Sequence, residues 1–180
     1  MYLEHGRPKD NSERTARELA VYDLLDRLEI PYTRVDHAPA ETMEVCAAID
    51  AVLNCRICKN LFLCNRQQTA FYLLMIPGDK PFKTKELSAQ IGSSRLSFAQ
   101  AEKMVEYLGL FPGSVSVMGL MNDNEHKVQL LVDQDLFLDE YIGCHPCVNT
   151  SSLKLRRTDI FETFLTSVKH NYLSVELHGG

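Results

Sequence analysis

Residues 57–76 read ICKNLFLCNRQQTAFYLLMI. Two apolar runs flank a short polar stretch. Ile57 to Asn65 is rich in strand-forming residues, and Ala70 to Ile76 is apolar throughout. Asn65–Thr69 has turn chemistry, so the segment reads as an antiparallel hairpin. Pro77-Gly78-Asp79 then closes the second strand. A hairpin of this kind needs helices or further strands to cover it, and the rest of the chain supplies both.

Upstream, the first ten residues read as a loose arm. A helix is expected from Asn11 or Ser12, with Leu19, Tyr22, Leu25 and Leu28 at helical spacing and Pro31 just past its end. Tyr32 to His37 reads as a short strand. Glu41 to Leu53 reads as a second helix with Val45, Ala48, Ile49 and Val52 on one face. Downstream, Thr84 to Ile91 is expected as a helix ending at Gly92. Ser97 to Leu108 is expected as another, opened by a Ser97-x-x-Gln100 capping box and ended by Gly109. Lys127–Val132, Phe137–Ile142 and Ser151–Leu155 read as strands. Thr158 is placed to cap a last helix, Asp159 to Lys169, with Phe161, Phe164, Leu165 and Val168 facing inward. Strands and helices mix without strict alternation. The class is therefore α/β of the mixed α+β kind, a single domain over residues 11–180 with helices packed on a mixed sheet.

The composition agrees. The chain has 180 residues, 45% hydrophobic and 24% charged, the profile of an ordinary globular domain. No apolar run approaches membrane-spanning length, and the N-terminus is too polar for a secretory signal. The expected compartment is the cytoplasm, where thiols stay reduced. The net charge of −5 argues against broad non-specific nucleic-acid binding. It leaves room for a local basic patch at Lys80, Lys83 and Lys85, at Arg95 and Lys103, or at Lys154, Arg156 and Arg157, each of which also reads as ordinary solvated surface.

Four groups of residues carry possible chemistry. CRIC (55–58) and CHPC (144–147) are C-x2-C pairs, the pattern of a four-cysteine zinc site. About 85 residues separate them, far more than the spacing of a zinc ribbon. No helix follows CRIC to activate a thiol, so buried thiols are the favoured reading. Lys59-Asn60 heads an apolar strand, where a lysine either reaches solvent along its stem or projects a cation into a cleft for a phosphate, carboxylate or ribose hydroxyl. Pro112-Gly113-Ser114-Val115-Ser116, followed by Gly119, is either an ordinary turn or a backbone able to approach a ligand and aim N–H groups at it. His145, beside Pro146 and near Asn149, is either structural or able to exchange protons near neutral pH.

In combination and in order, KNLFL (59–63), FYLLMIPGDK (71–80), PGSVSVMGLMND (112–123) and CHPCVNTSSLK (144–154) resemble the YbaK/aminoacyl-tRNA synthetase-associated domain family. Within it they are most similar to the freestanding prolyl-tRNA editing proteins of the ProX and PrdX type. The resemblance spans roughly Ala16 to Val168. It implies a mixed, partly barrel-like sheet flanked by helices and a hydrolase that deacylates mischarged tRNA. The edited species is then Ala-tRNA(Pro), with serine and cysteine esters as alternatives. It also implies no metal or organic cofactor. The implied partners are the acceptor end of aminoacylated tRNA, a small amino acid in the pocket, prolyl-tRNA synthetase and a second copy of the chain, with no membrane. Carried over by position, Lys59 contacts the terminal adenosine and Asn60 follows it. Gly113, Ser114 and Ser116 belong to the loop that engages the ester, and His145 shapes the pocket. Gly119 and Asn149 complete the expected set. One departure stands out: the family loop commonly ends G-x-x-x-P, and here the last position is Val117. The rival readings are a non-catalytic module that binds aminoacyl-tRNA or an amino acid, and a four-cysteine zinc protein.

Overall fold

The computed structural model describes residues 1–39 and 42–179. In chain order the elements are β1 (Leu3–His5), α1 (Ala16–Arg27), β2 (Thr33–Asp36), α2 (Met43–Leu53), β3 (Cys58–Cys64) and β4 (Phe71–Pro77). Then come α3 (Thr84–Ile91), β5 (Ser97–Phe98), α4 (Ala101–Leu108), β6 (Val128–Asp133), β7 (Tyr141–Cys144) and β8 (Ser151–Arg156). A π-helical segment, Asp159–Phe164, runs into α5 (Leu165–Ser167), and β9 (Tyr172–Val175) ends the fold. The architecture is a single mixed α/β domain with two sheets and helices packed on them.

The hairpin of residues 57–76 is present. β3 and β4 pair antiparallel, Cys58 opposite Pro77 through to Cys64 opposite Phe71. They form the centre of a five-stranded sheet ordered β5-β3-β4-β6-β9, in which β6 runs parallel to β4 and β9 parallel to β6. β4 is apolar throughout because both of its faces are covered. Leu73 and Met75 face the main core, while Leu74 and Ile76 face a second cluster with Leu87 of α3 and Val175 of β9. The second sheet is antiparallel, ordered β1-β2-β8-β7. The sheets meet at one corner, where Ile57 bridges to Gly143 and the Gly143 N–H donates to the Arg56 carbonyl (3.0 Å). No helix among the described residues is long and apolar enough to cross a membrane.

Several expectations are corrected. Within the first ten residues, expected as a loose arm, Leu3–His5 pair with β2, and the buried Arg34 holds this stretch through Glu4 (2.6 Å) and the Gly6 carbonyl (3.1 Å). α1 starts at Ala16, because Thr15 caps it by accepting the Glu18 N–H, while Asp10 takes the Ser12 N–H to close a separate turn. The expected α2 start at Glu41 lies outside the described residues; Thr42 caps the helix by accepting the Val45 N–H. Ser97 opens no helix. Its backbone pairs with Cys64 as part of β5, and α4 begins only at Ala101. Phe137–Ile142 is not one strand. A 3-10 turn, Gln134–Leu138, buries Leu136 and leaves Leu138 exposed before β7 starts at Tyr141. The final helix keeps its inward face of Phe161, Phe164 and Leu165, joined by Ile160, but is wound as a π-segment for most of its length.

Candidate active site

A cavity of about 630 Å³ opens at the corner where the sheets meet. The head of β3 contributes Cys58, Lys59 and Asn60, and the turn after β4 contributes Gly78 and Asp79. Gly113 and Val115 come from the loop after α4, His145 from the segment after β7, and Ile49 and Asp50 from α2. This volume suits a small ligand or one end of a larger one.

Lys59 is drawn across the β3–β4 hairpin, where its Nζ donates to the Lys80 carbonyl (2.5 Å). Lys80 is held in turn by Asp133 (2.6 Å), Asp135 (2.6 Å) and the Leu177 carbonyl (2.8 Å). Asp133 is fully buried and also accepts the Leu177 N–H. The turn between β4 and α3 that presents Lys80 is thereby fixed from below by the C-terminal segment. Asn60 donates through Nδ2 to the Cys58 sulfur (3.5 Å), and its Oδ1 is buried without a partner.

The loop turns sharply at Gly113, whose φ of +90° suits glycine. Ser114 is not a free ligand-facing group. Its N–H and its hydroxyl both donate to the Phe111 carbonyl, closing the turn. The N–H groups of Gly113 and Val115 have no acceptor among the described residues, and both residues line the cavity. Ser116 is fully buried. Its hydroxyl donates to the His145 carbonyl (2.6 Å) and accepts the Met118 N–H, so it holds the loop against the histidine segment. Gly119 lies in the 3-10 turn Val117–Asn122, packed so close to Leu110 that a Cβ would fall 2.7 Å from its side chain. It is a packing residue. Asn149 does not line the cavity; its Nδ2 lies 3.6 Å from where a Gly113 Cβ would be.

His145 is half-buried, and its Nδ1 lies 2.9 Å from the Ser151 carbonyl. A carbonyl only accepts, so Nδ1 carries the proton and Nε2 is left as an acceptor. Burial lowers the histidine's pKa, opposed by the Ser151 bond and aided by His37 nearby, so the ring is neutral at physiological pH. The Ser151–Ser152 segment is anchored on its other side. The Ser151 hydroxyl donates to Asp36 (2.6 Å), which also accepts from both terminal guanidinium nitrogens of Arg14, Nη1 and Nη2, and Ser152 bonds His37 (2.8 Å).

The four C-x2-C cysteines do converge. The Cys144 thiol is pushed well up by burial and then by the proximity of Cys58, Cys147 and Cys55. All six cysteines are free. Burial raises Cys55 to about 11 and Cys58 and Cys147 to about 12. These thiols are protonated at neutral pH and are poor nucleophiles. Among the described residues, no group of three or more His, Cys, Asp or Glu side chains is arranged to hold a metal ion.

Two charged lining residues, Asp50 and Arg56, escape a reading of motifs. Asp50 stands out only as an acid within a mostly apolar helix. Arg56 lies inside CRIC, where the cysteines draw the attention. Arg56 pairs with Asp139 (2.8 Å) and with Asp79 (3.7 Å).

Comparisons with known proteins extend the picture. A family model described as an aminoacyl-tRNA editing domain matches residues 37–163. The chain is 33% identical over 158 residues to prolyl-tRNA editing protein ProX of Acetoanaerobium sticklandii, covering 88% of this chain and 96% of that one. It is 29% identical over 150 residues to prolyl-tRNA synthetase associated domain-containing protein 1 of Danio rerio, covering 82% and 80%. Its fold is similar to a solved structure described as a candidate trans-editing enzyme for prolyl-tRNA synthetase. That match has a TM-score of 0.69 and 15% identity, and covers 92% of this chain and 99% of that one.

Proposed function

The chain belongs to the aminoacyl-tRNA editing domain family, and from that premise we propose that it is a deacylase of mischarged tRNA. Its substrate is the ester between a small amino acid and the terminal ribose, foremost alanine on proline tRNA. It acts in trans, in the cytoplasm, on an error product of prolyl-tRNA synthetase.

The observation that carries this reading is the meeting of Lys59, Asn60, Gly113 and His145 around one cavity. An aminoacyl ester is already activated. Its hydrolysis needs a polarised carbonyl and a positioned water more than a strong nucleophile. The unpaired Gly113 and Val115 N–H groups supply donors for the oxygen that becomes negative as water adds to the carbonyl carbon. The ester C–O bond then breaks, the ribose oxygen leaves with a proton, and the free amino acid departs. Lys59 anchors the adenosine end, which orients the ester. The neighbouring ribose hydroxyl helps to place the water. Neutral His145 presents Nε2 as an acceptor at the pocket wall without adding charge. Selectivity follows from size, since excluding the larger correct amino acid is easier than attracting one methyl group, worth about 1–3 kcal/mol.

Purified Lys59→Ala is expected to lose at least about 100-fold in deacylation of Ala-tRNA(Pro) with an unchanged melting temperature. A wild-type rate from that variant removes Lys59 from the site. A panel of Ala-, Ser-, Cys- and Pro-tRNA sets the specificity. Tight binding of the tRNA end with no turnover of any of the four marks a binding module instead.

A further inference from the structure

Asp50 is a poor residue for structure alone. It sits in the last turn of α2, where the helix dipole disfavours an anion and where no basic residue compensates. It is half-buried, and its Oδ1 is buried without a hydrogen-bond partner, a costly state for a carboxylate. Burial and then the charge of Asp79 raise its pKa, against the Ile57 N–H that supports the charge. Three local costs meet at one side chain, and that side chain lines the cavity. Local rules are broken in this way where function requires it.

The charges around the cavity narrow what Asp50 awaits. Arg56 is committed to Asp139 and Asp79, and Lys59 to the Lys80 carbonyl. Asp79 is largely exposed and faces Arg56. Among the described lining residues, Asp50 is thus the one charged group with a buried side-chain atom that no hydrogen bond reaches. Among the described lining residues, the other buried side-chain oxygen without a partner is Asn60 Oδ1, also an acceptor. Two acceptors and a negative charge fit a small cation with hydrogens to donate. An aminoacyl ester carries such a group, the α-ammonium.

We propose that Asp50, assisted by Asn60 Oδ1, binds the α-ammonium group of the aminoacyl ester and makes the pocket selective for substrates with a free amine. The proposal rests on the deacylase reading above. The carboxylate reaches the group by rotation about its terminal side-chain bond, a soft torsion. The ion pair formed returns the partner that the buried oxygen lacks, so the cost carried by the free protein is recovered on binding.

The test compares two esters of the same tRNA: alanyl, and 2-hydroxypropionyl, which replaces the ammonium by a hydroxyl at nearly constant size. Wild-type protein is expected to favour the alanyl ester by about 10- to 100-fold in kcat/KM, the usual worth of a charge-assisted hydrogen bond. Asp50→Asn is expected to lose that preference by slowing on the alanyl ester while keeping its rate on the hydroxy ester. The retained rate also shows that the variant is folded. An unchanged preference in Asp50→Asn overturns the proposal and leaves the deacylase reading intact. An equal loss on both esters also overturns it, since the role is then not specific to the amine. No wild-type turnover of either ester overturns the deacylase reading and the proposal together.

Discussion

His145 shows how one residue's protonation follows from its surroundings. Its folded pKa lies below the ordinary 6.5 because burial penalises the imidazolium. The unfolded chain therefore takes up a proton before the folded one does. Stability is full above about pH 6.5 and declines as pH falls from there towards the folded pKa. Denaturant melts between about pH 5 and pH 7.5 are expected to show that slope, and His145→Gln is expected to flatten it. The residue was visible in the sequence because a histidine inside CHPC draws notice and the order of motifs resembles a known family. Its tautomer was not visible, because that depends on the Ser151 carbonyl delivered by the adjacent strand. Asp50 was hidden more deeply. Nothing in MEVCAAIDAVL says which polar atom ends up without a partner.

At the scale of elements, the β3–β4 hairpin and its neighbours carry the site. Gly78 comes so close to β3 that a Cβ would lie 2.6 Å from the Ile57 carbonyl oxygen, with backbone on both sides of the contact. Gly78→Ala is expected to push the strand ends apart at Lys59. Overpacking of this kind costs about 1–3 kcal/mol, readable as a lower melting temperature together with a fall in deacylation. The β2–β8 pairing makes a second prediction. Burial alone raises Asp36, but hydrogen bonds from Arg14 and Ser151 and the charge of Arg34 outweigh it and hold the carboxyl below 3.8. The stability it contributes is present above the unfolded value and lost as pH falls through the folded one. Asp36→Asn is thus expected to melt lower than wild type at neutral pH, with the two converging below about pH 4. α3 was legible at both ends, since Thr84–Ile91 follows a turn and ends at Gly92. Ser97–Gln100 misled because a sound capping box was overridden by pairing at the edge of the sheet, a contact more than 30 residues away in the chain.

Across the whole molecule, the C-terminal segment and the site are coupled. β9 covers the edge of β6, Leu177 bonds buried Asp133 and Lys80, and the Lys80 carbonyl receives Lys59. A chain ending at Asn171 is expected to melt about 10 °C lower, to associate through the bared β6 edge, and to lose activity as Lys59 loses its support. Calorimetry and size-exclusion chromatography check the first two. β9 itself went unread, because YLSV is short and only a neighbouring strand makes it one. The sequence by itself determined the class, the central hairpin, most helices and the family, since hydrophobic periodicity, turn chemistry and motif order are local properties of the chain. Only the tertiary structure decided the parallel placement of β6 and β9 and the corner where Ile57 meets Gly143. It also decided which of the singled-out residues share a cavity: Lys59, Asn60, Gly113 and His145 line it, while Ser114, Ser116, Gly119 and Asn149 shape or flank it. The reason is that a side chain's partners, burial and charge are set by segments far away in the chain, which no local pattern records.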